Sequence, residues 1–325
     1  MYTDDEPDEP DFKKLLTISN NGFIIIVWKP IEILACLLSS YYYAWILAFG
    51  AEEHIGVPRW SIIFEAIFAI SMAINFMREY IPDGETVPVR DHAKIAKHYF
   101  KNGFWTDFIP LLPIPWALSF LHYSKVLYII KIIRIDRGFR IFDVTKVLNA
   151  IKNFLKNRIE RKIKENPNIG EDNVIDHNNI DQLMITNYCL KTFKLIVTIL
   201  NIAYFLAMFW LLFCQVTEDI MEGEGHDVGE EGESTNKDYF LDYYGMSYLF
   251  GIDGDDEGID DKYYKEWRAA IVAVYFSFTS LSTVGFGDYH PRSNSERLLV
   301  AFVLLFGVAI FSYIMGIFIE ILGDF

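Results

Sequence analysis

The sequence predicts an all-α membrane protein with six transmembrane helices and a re-entrant helix and loop between the fifth and sixth. Three observations carry this. Of 325 residues, 52% are hydrophobic and 16% aromatic. The mean hydropathy is +0.19, above what a soluble domain carries. The apolar residues also fall in runs near the ~20 residues that cross a hydrocarbon core.

The runs come in order. The first is Ile31–Ala51 and the second about Trp60–Met77. The third, about Phe104–Leu121, contains Pro110, Pro113 and Pro115. The fourth, about Tyr123–Phe142, is apolar yet carries Lys125, Lys131, Arg134, Arg137 and Arg140. The fifth is about Phe193–Val216 and the sixth Leu298–Leu322. Arg268–Leu281 is too short to span and reads as re-entrant, which membrane depth permits only where protein or water covers the backbone. Cys36, Cys189 and Cys214 lie in or beside apolar runs, so they read as core residues with no metal-ligand spacing.

Charge sets the orientation. Lys146, Lys152, Lys156, Arg158, Arg161, Lys162 and Lys164 follow the fourth run, which puts that stretch on the cytoplasmic side. Both termini are then inside. The formal net charge is −15, and Thr217–Lys262 holds 16 acids against 2 lysines, so the imbalance sits in one outer loop. No basic patch is set up to track phosphates, which excludes nucleic acid as a partner. The expected organisation is an acidic cytoplasmic tail (1–27), a four-helix bundle (28–145), a basic cytoplasmic linker (146–187) and a two-helix unit (188–325) with its acidic outer loop at 217–262. Asp253, Asp255 and Glu257 have the alternate spacing of a calcium loop, but Tyr264 stands where a bidentate Glu is required. No catalytic constellation occurs, and no enzyme activity is expected.

The most informative stretch is FTSLSTVGFGDYHP, Phe278–Pro291. In Thr283-Val284-Gly285-Phe286-Gly287, glycines alternate with side chains that can pack outward. Glycine takes φ > 0 without a Cβ penalty, so successive carbonyls can point one way. Four copies around an axis would stack the backbone oxygens of Thr283, Val284, Gly285 and Phe286 into rings that replace a potassium ion's water shell. Potassium is then the permeant species, and no cofactor is expected. Asp288 sits at the outer mouth. The stretch TVGFGD resembles the potassium-channel selectivity filter.

Lys131, Arg134, Arg137 and Arg140 recur every third residue. Charges within a membrane segment are costly and usually functional. In a 3₁₀ stretch, at ~3.0 residues per turn, such a stripe is straight. Three charges per subunit moving in a tetramer would change energy by roughly 28 kcal/mol per 100 mV, at ~2.3 kcal/mol per charge. Asp107 is the expected countercharge, with Glu65 next. The alternative is a basic amphipathic helix lying on the membrane surface.

Asn75-Phe76, Tyr80, and Val87 through Pro110, with the spacing of Ile95-Ala96-Lys97-His98-Tyr99 to Asp107 and Pro110, resemble one superfamily: the ether-à-go-go, hyperpolarisation-activated and cyclic-nucleotide-gated channels. Asn294 and Glu296, then Gly307 and Gly316, resemble the start and body of its last helix, and the likeness covers about Lys29–Phe325. The resemblance implies a voltage-sensor bundle plus a pore domain, assembled as a homotetramer or heterotetramer in the lipid bilayer. The plasma membrane is the expected location and an organelle membrane the alternative. Gly307 and Gly316 are candidate gate hinges or close-packing sites. The sequence departs from the family with Ser71 in place of an Asp, Ile317 in place of an Asn, and Asp136 within the charged helix. It ends at Phe325, so no cyclic-nucleotide site is expected in this chain. The expected function is a potassium-selective, voltage-modulated channel subunit. The alternative is a non-conducting subunit of a larger membrane complex.

Overall fold

The computed structural model describes residues 17–19, 22–50, 59–82, 87–118, 124–142, 177–223, 239–246 and 259–323. Most of the expected acidic tail, basic linker and acidic loop, with Asp253, Asp255 and Glu257, lie outside the described residues. The chain divides into two compact units, Met1–Ile141 and Phe142–Phe325. The described residues form helices and two isolated bridges, Ile18 with Arg78 and Tyr80 with Val89.

The first unit opens with α1 (Phe23–Phe49) and α2 (Arg59–Met77). Along α1, Ile25, Glu32, Ala35, Cys36, Ser39, Tyr43 and Leu47 are buried. Their spacing of three, four and seven makes one continuous stripe. Phe23, Ile24, Ile26, Val27, Ile31, Leu34 and Leu38 are exposed on the other faces. An apolar outer surface with a polar-containing inner stripe suits a helix whose surroundings are lipid. Ser39 and Ser40 satisfy their hydroxyls by donating to the Cys36 carbonyl, at 3.2 and 2.7 Å. Phe64 and Phe68 of α2 pack on Ala35 and Cys36.

The third expected span is not one helix. It is preceded by α3 (His92–Asn102), where the Asp91 side chain accepts from the Ala93 amide at 3.0 Å as an N-cap. Gly103 alone separates α3 from α4 (Phe104–Leu111). Then Leu112 turns extended, with ψ 136°, ahead of Pro113, and α5 (Ile114–Ala117) is a single turn. Proline clashes with a helical residue before it, so Pro113 divides the run, while Pro110 and Pro115 lie within α4 and α5.

The fourth expected span is also divided. It comprises a 3₁₀ turn (Ser124–Tyr128), α6 (Ile129–Ile132), α7 (Ile135–Gly138) and a second 3₁₀ turn (Phe139–Phe142). Among the described residues, four helices are long and apolar enough to cross a membrane: Phe23–Phe49, Trp60–Met77, and the stretches Ile185–Ile220 and Asn294–Glu320 of the second unit.

The second unit has α8 (His177–Gly223), the single turn α9 (Phe240–Tyr243), α10 (Ile259–Leu281) and α11 (Asn294–Gly323). With 47 residues, α8 is about 70 Å long at 1.5 Å per residue and extends well beyond the expected fifth span. Likewise α10 starts nine residues before the expected Arg268. Ala203 and Ala207 of α8 and Ala269, Ala270 and Ala273 of α10 are buried. Small residues on both helices allow a close approach. Trp210 packs on Phe240 and Phe276, with ring centroids 5.3 and 5.1 Å away. Cys36 and Cys214 are buried as expected, but Cys189 is exposed. It lies on the part of α8 before the expected span.

Candidate functional site: a glycine-rich loop and a charged ladder

Leu281 ends α10, and the chain then turns back on the helix terminus. The Ser282 amide donates to Phe278 O at 2.9 Å, and the Val284 and Gly285 amides both donate to Thr279 O, at 3.1 and 3.2 Å. The inward amides are thereby satisfied. The carbonyls of Thr283, Val284, Gly285 and Phe286 accept no backbone hydrogen bond among the described residues.

Left-handed backbone recurs at every second position: Thr283 at φ 59°, Gly285 at 51° and Gly287 at 78°. The sequence places this freedom at the two glycines, and the loop extends the alternation to a β-branched residue. A threonine in this region is strained by roughly 1–3 kcal/mol. Such strain persists only where the surroundings hold it, here the bond from the Thr283 amide to Ser280 O at 3.3 Å and its neighbours. Val284 and Phe286 are exposed.

The far end of the loop is held from behind. Tyr244 Oη donates to the Asp288 carbonyl at 3.0 Å and accepts from the His290 amide at 3.0 Å. Burial raises the Tyr244 phenol above its ordinary range, so it is a proton donor at neutral pH. The Tyr275 hydroxyl bonds the Asp288 carboxylate. Glu296, fully buried, accepts from the amides of Arg292 and Ser293 at 2.7 and 2.9 Å and from Phe240 at 2.9 Å.

The two candidate hinge glycines differ. A Cβ on Gly307 would lie 3.0 Å from Ser280 O and 3.2 Å from Leu281 Cα, whereas one on Gly316 would meet nothing within 4 Å. Both lie inside the continuous helix α11.

In the first unit the expected charges meet the expected acids, with additions. Lys131 pairs with Glu65. Arg134 donates to the Asp107 carbonyl at 2.9 Å, and its guanidinium lies 3.9 Å from the centre of the Phe68 ring. Lys131 and Arg134 are 3% and 4% exposed, so both cations are removed from bulk water and need these partners. Arg137 pairs with Asp107, donates to Thr106 at 2.9 Å and lies 3.9 Å from Glu32. Arg140 meets Asp136, four residues before it, at 3.7 Å, and both are exposed. Tyr99 donates to Asp107, and Asn75 approaches the same carboxylate at 3.4 Å. Ser71 is buried and accepts from the Trp28 indole at 2.8 Å.

Sequence reasoning missed Glu32, Phe68 and Tyr99. Glu32 had a signal, being the one charge in the run Ile31–Ala51. Tyr99 had one in its spacing to Asp107, legible only as part of a motif; Phe68 had none, since aromatics are common throughout these helices.

A family model described as ion transport protein matches residues 10–164, and one described as ion channel matches residues 245–324. Among similar curated proteins, a voltage-gated inwardly rectifying potassium channel KCNH6 of Gallus gallus is 24% identical over 303 residues, covering 89% of this chain and 21% of the relative. KCNH6 of Homo sapiens is 24% identical over 259 residues, 78% of this chain and 21% of the relative. KCNH7 of Mus musculus is 26% identical over 259 residues, 78% and 17%. The chain spans about a fifth of the length of these curated relatives. These likenesses support an integral membrane protein of the ion-channel type rather than an enzyme.

Proposed function

We propose that the chain is a potassium-selective channel subunit that conducts as a tetramer through Thr283–Gly287, with voltage acting through the charged ladder of the first unit. One observation carries conduction: left-handed backbone recurs at Thr283, Gly285 and Gly287, and the carbonyls of Thr283 to Phe286 accept no backbone hydrogen bond among the described residues. One chain supplies a quarter of each oxygen ring, so four are needed. The stacked oxygens would exchange for the hydration shell of a potassium ion. Asp288 at the mouth adds negative charge where cations enter.

Voltage modulation rests on Lys131, Arg134 and Arg137. Each has a partner one step along the ladder, Glu65, then Phe68 with the Asp107 carbonyl, then Asp107 with Glu32. A cation that moves one step would exchange one partner for the next and avoid an unpaired state in a low-dielectric interior. Arg140, exposed beyond Asp107, is the next charge in line.

The test is reconstitution of the full chain in vesicles, with reversal potential read under a potassium gradient, then repeated with Gly285→Ala. An alanine at φ 51° is strained, so potassium flux should be lost. Flux through wild type that survives this change would remove the loop from the pathway. No wild-type flux would favour the non-conducting subunit.

A further inference from the structure

Behind the loop lies an imidazole that conduction as proposed does not use. His290 Nδ1 is 3.3 Å from the Gly287 carbonyl oxygen and 3.1 Å from Tyr244 Oη. Its other nitrogen, Nε2, is 3.4 Å from Arg292 Nη1. The Arg292 guanidinium is itself fixed, 3.8 Å from the centre of the Tyr243 ring.

These partners decide where the ring proton sits. A guanidinium nitrogen only donates, so Nε2 accepts and the neutral ring carries its one proton on Nδ1. The Tyr244 hydroxyl agrees. Its single proton goes to the Asp288 carbonyl, and it already accepts from the His290 amide. An unprotonated Nδ1 would face the lone pairs of both Gly287 O and Tyr244 Oη. A protonated one donates to both.

The bond matters because of where it falls. Gly287 has φ 78° and no Cβ, and a Cβ there would touch nothing within 4 Å. Nothing in its own side chain resists rotation of the peptide that ends the ring stack. The restraint has to come from outside.

We propose that Arg292 fixes the tautomer of His290 so that its Nδ1–H holds the Gly287 carbonyl in register, making His290 a positioning residue for the outer end of the filter. This rests on the conducting role of Thr283–Gly287 and names what keeps that role selective. The other charged or titratable groups around the ring are Tyr243 of α9, Tyr244 just after it, Asp288 and Tyr289 of the loop, and Tyr275 of α10 behind Asp288.

The experiment measures the potassium-to-sodium permeability ratio of the full chain in vesicles. His290→Asn puts an amide N–H where Nδ1–H stands, and the ratio should stay within about twofold of wild type. His290→Gln places its amide at the Nε2 position instead. It should lower the ratio about tenfold, the loss expected for one hydrogen bond of about 1.4 kcal/mol. At a pH high enough to keep the ring uncharged, Arg292→Glu offers Nε2 an acceptor, draws the proton off Nδ1, and should give a similar fall. Adding His290→Asn to Arg292→Glu should restore selectivity although the changed charge remains. Equal ratios in His290→Asn and His290→Gln would overturn the proposal, as would a double variant no better than Arg292→Glu. Loss of assembly in Arg292→Glu that His290→Asn does not relieve would mark a purely structural role and also overturn it. A wild-type chain that passes no potassium removes the conducting role first, and the positioning role with it.

Discussion

The Phe240 amide donates to the Glu296 carboxylate at 2.9 Å across 56 residues of chain. The same carboxylate takes the Arg292 and Ser293 amides, and the Ser293 hydroxyl accepts from the Glu296 amide at 3.2 Å. Ser293 and Glu296 thus form a reciprocal cap at the start of α11, and the third bond ties that cap to α9. Tyr244 follows α9 directly, so the carboxylate sets the height of the hydroxyl that grips Asp288 and His290.

Glu296→Ala leaves these amides unpaired and should cost roughly 1–3 kcal/mol for each one that water cannot reach. Glu296→Gln keeps one acceptor oxygen and should cost less. Thermal unfolding of the purified assembly checks the order. A variant Glu296→Ala as stable as wild type would mean that the cage contributes nothing.

Arg134→Gln should flatten the voltage dependence. If Arg134 crosses the whole field in each of four subunits, its loss removes about 9 kcal/mol per 100 mV, at about 2.3 kcal/mol per charge. The slope of conductance against voltage reads this directly. Arg140→Gln is the comparison, because Arg140 is exposed and pairs with the exposed Asp136. It should change the slope less. Equal slopes in wild type and Arg134→Gln would show that the Phe68 stack holds a static charge.

Much of this was legible in the sequence where the physics is local. Apolar length located α1, α2, α8 and α11, because crossing a hydrocarbon core fixes a minimum run. The period-three charges and Asp107 stood out because ionisable groups are rare in such runs. The third and fourth spans were drawn as single helices, and there the local rule was outweighed. Pro113 stops α4 at Leu111, and the chain from Ser124 to Phe142 is two short α turns flanked by 3₁₀ turns. Thr283 was legible only as a possible ligand. Its left-handed backbone depends on amides folding back to Thr279 and Ser280, which no residue spacing announces. Glu32 was passed over because an acid near the start of an apolar run looks like a helix end, whereas α1 begins nine residues earlier.

Gly307→Ala separates packing from hinging in α11. The added Cβ would sit 3.0 Å from Ser280 O, and backbone cannot swing aside as a side-chain tip can. Ser280 O is the acceptor for the Thr283 amide, so displacement passes straight to the loop. The expected result is impaired assembly or a lower potassium-to-sodium permeability ratio. Gly316→Ala, with open space around it, should leave that ratio unchanged. A Gly307→Ala channel with wild-type selectivity and altered opening alone would restore the hinge.

Gly138→Ala tests the seam between the charged segment and α1. A Cβ there would lie 2.9 Å from both Cα and N of Leu37, closer than real Cβ atoms come. The two backbones must part by several tenths of an ångström. Overpacking of this kind typically costs about 1–3 kcal/mol. Arg137 is the adjacent residue, and its pairs with Asp107 and Glu32 depend on that spacing. If the charged segment shifts along α1 when voltage changes, the resting and activated positions will not bear the extra methyl equally. The half-activation voltage should therefore move while permeability ratios stay the same, since the second unit is untouched. Conductance–voltage curves and reversal potentials recorded on the same membranes check both halves. An unmoved midpoint, with the variant folded, would mean that Gly138 keeps the same neighbour in every state.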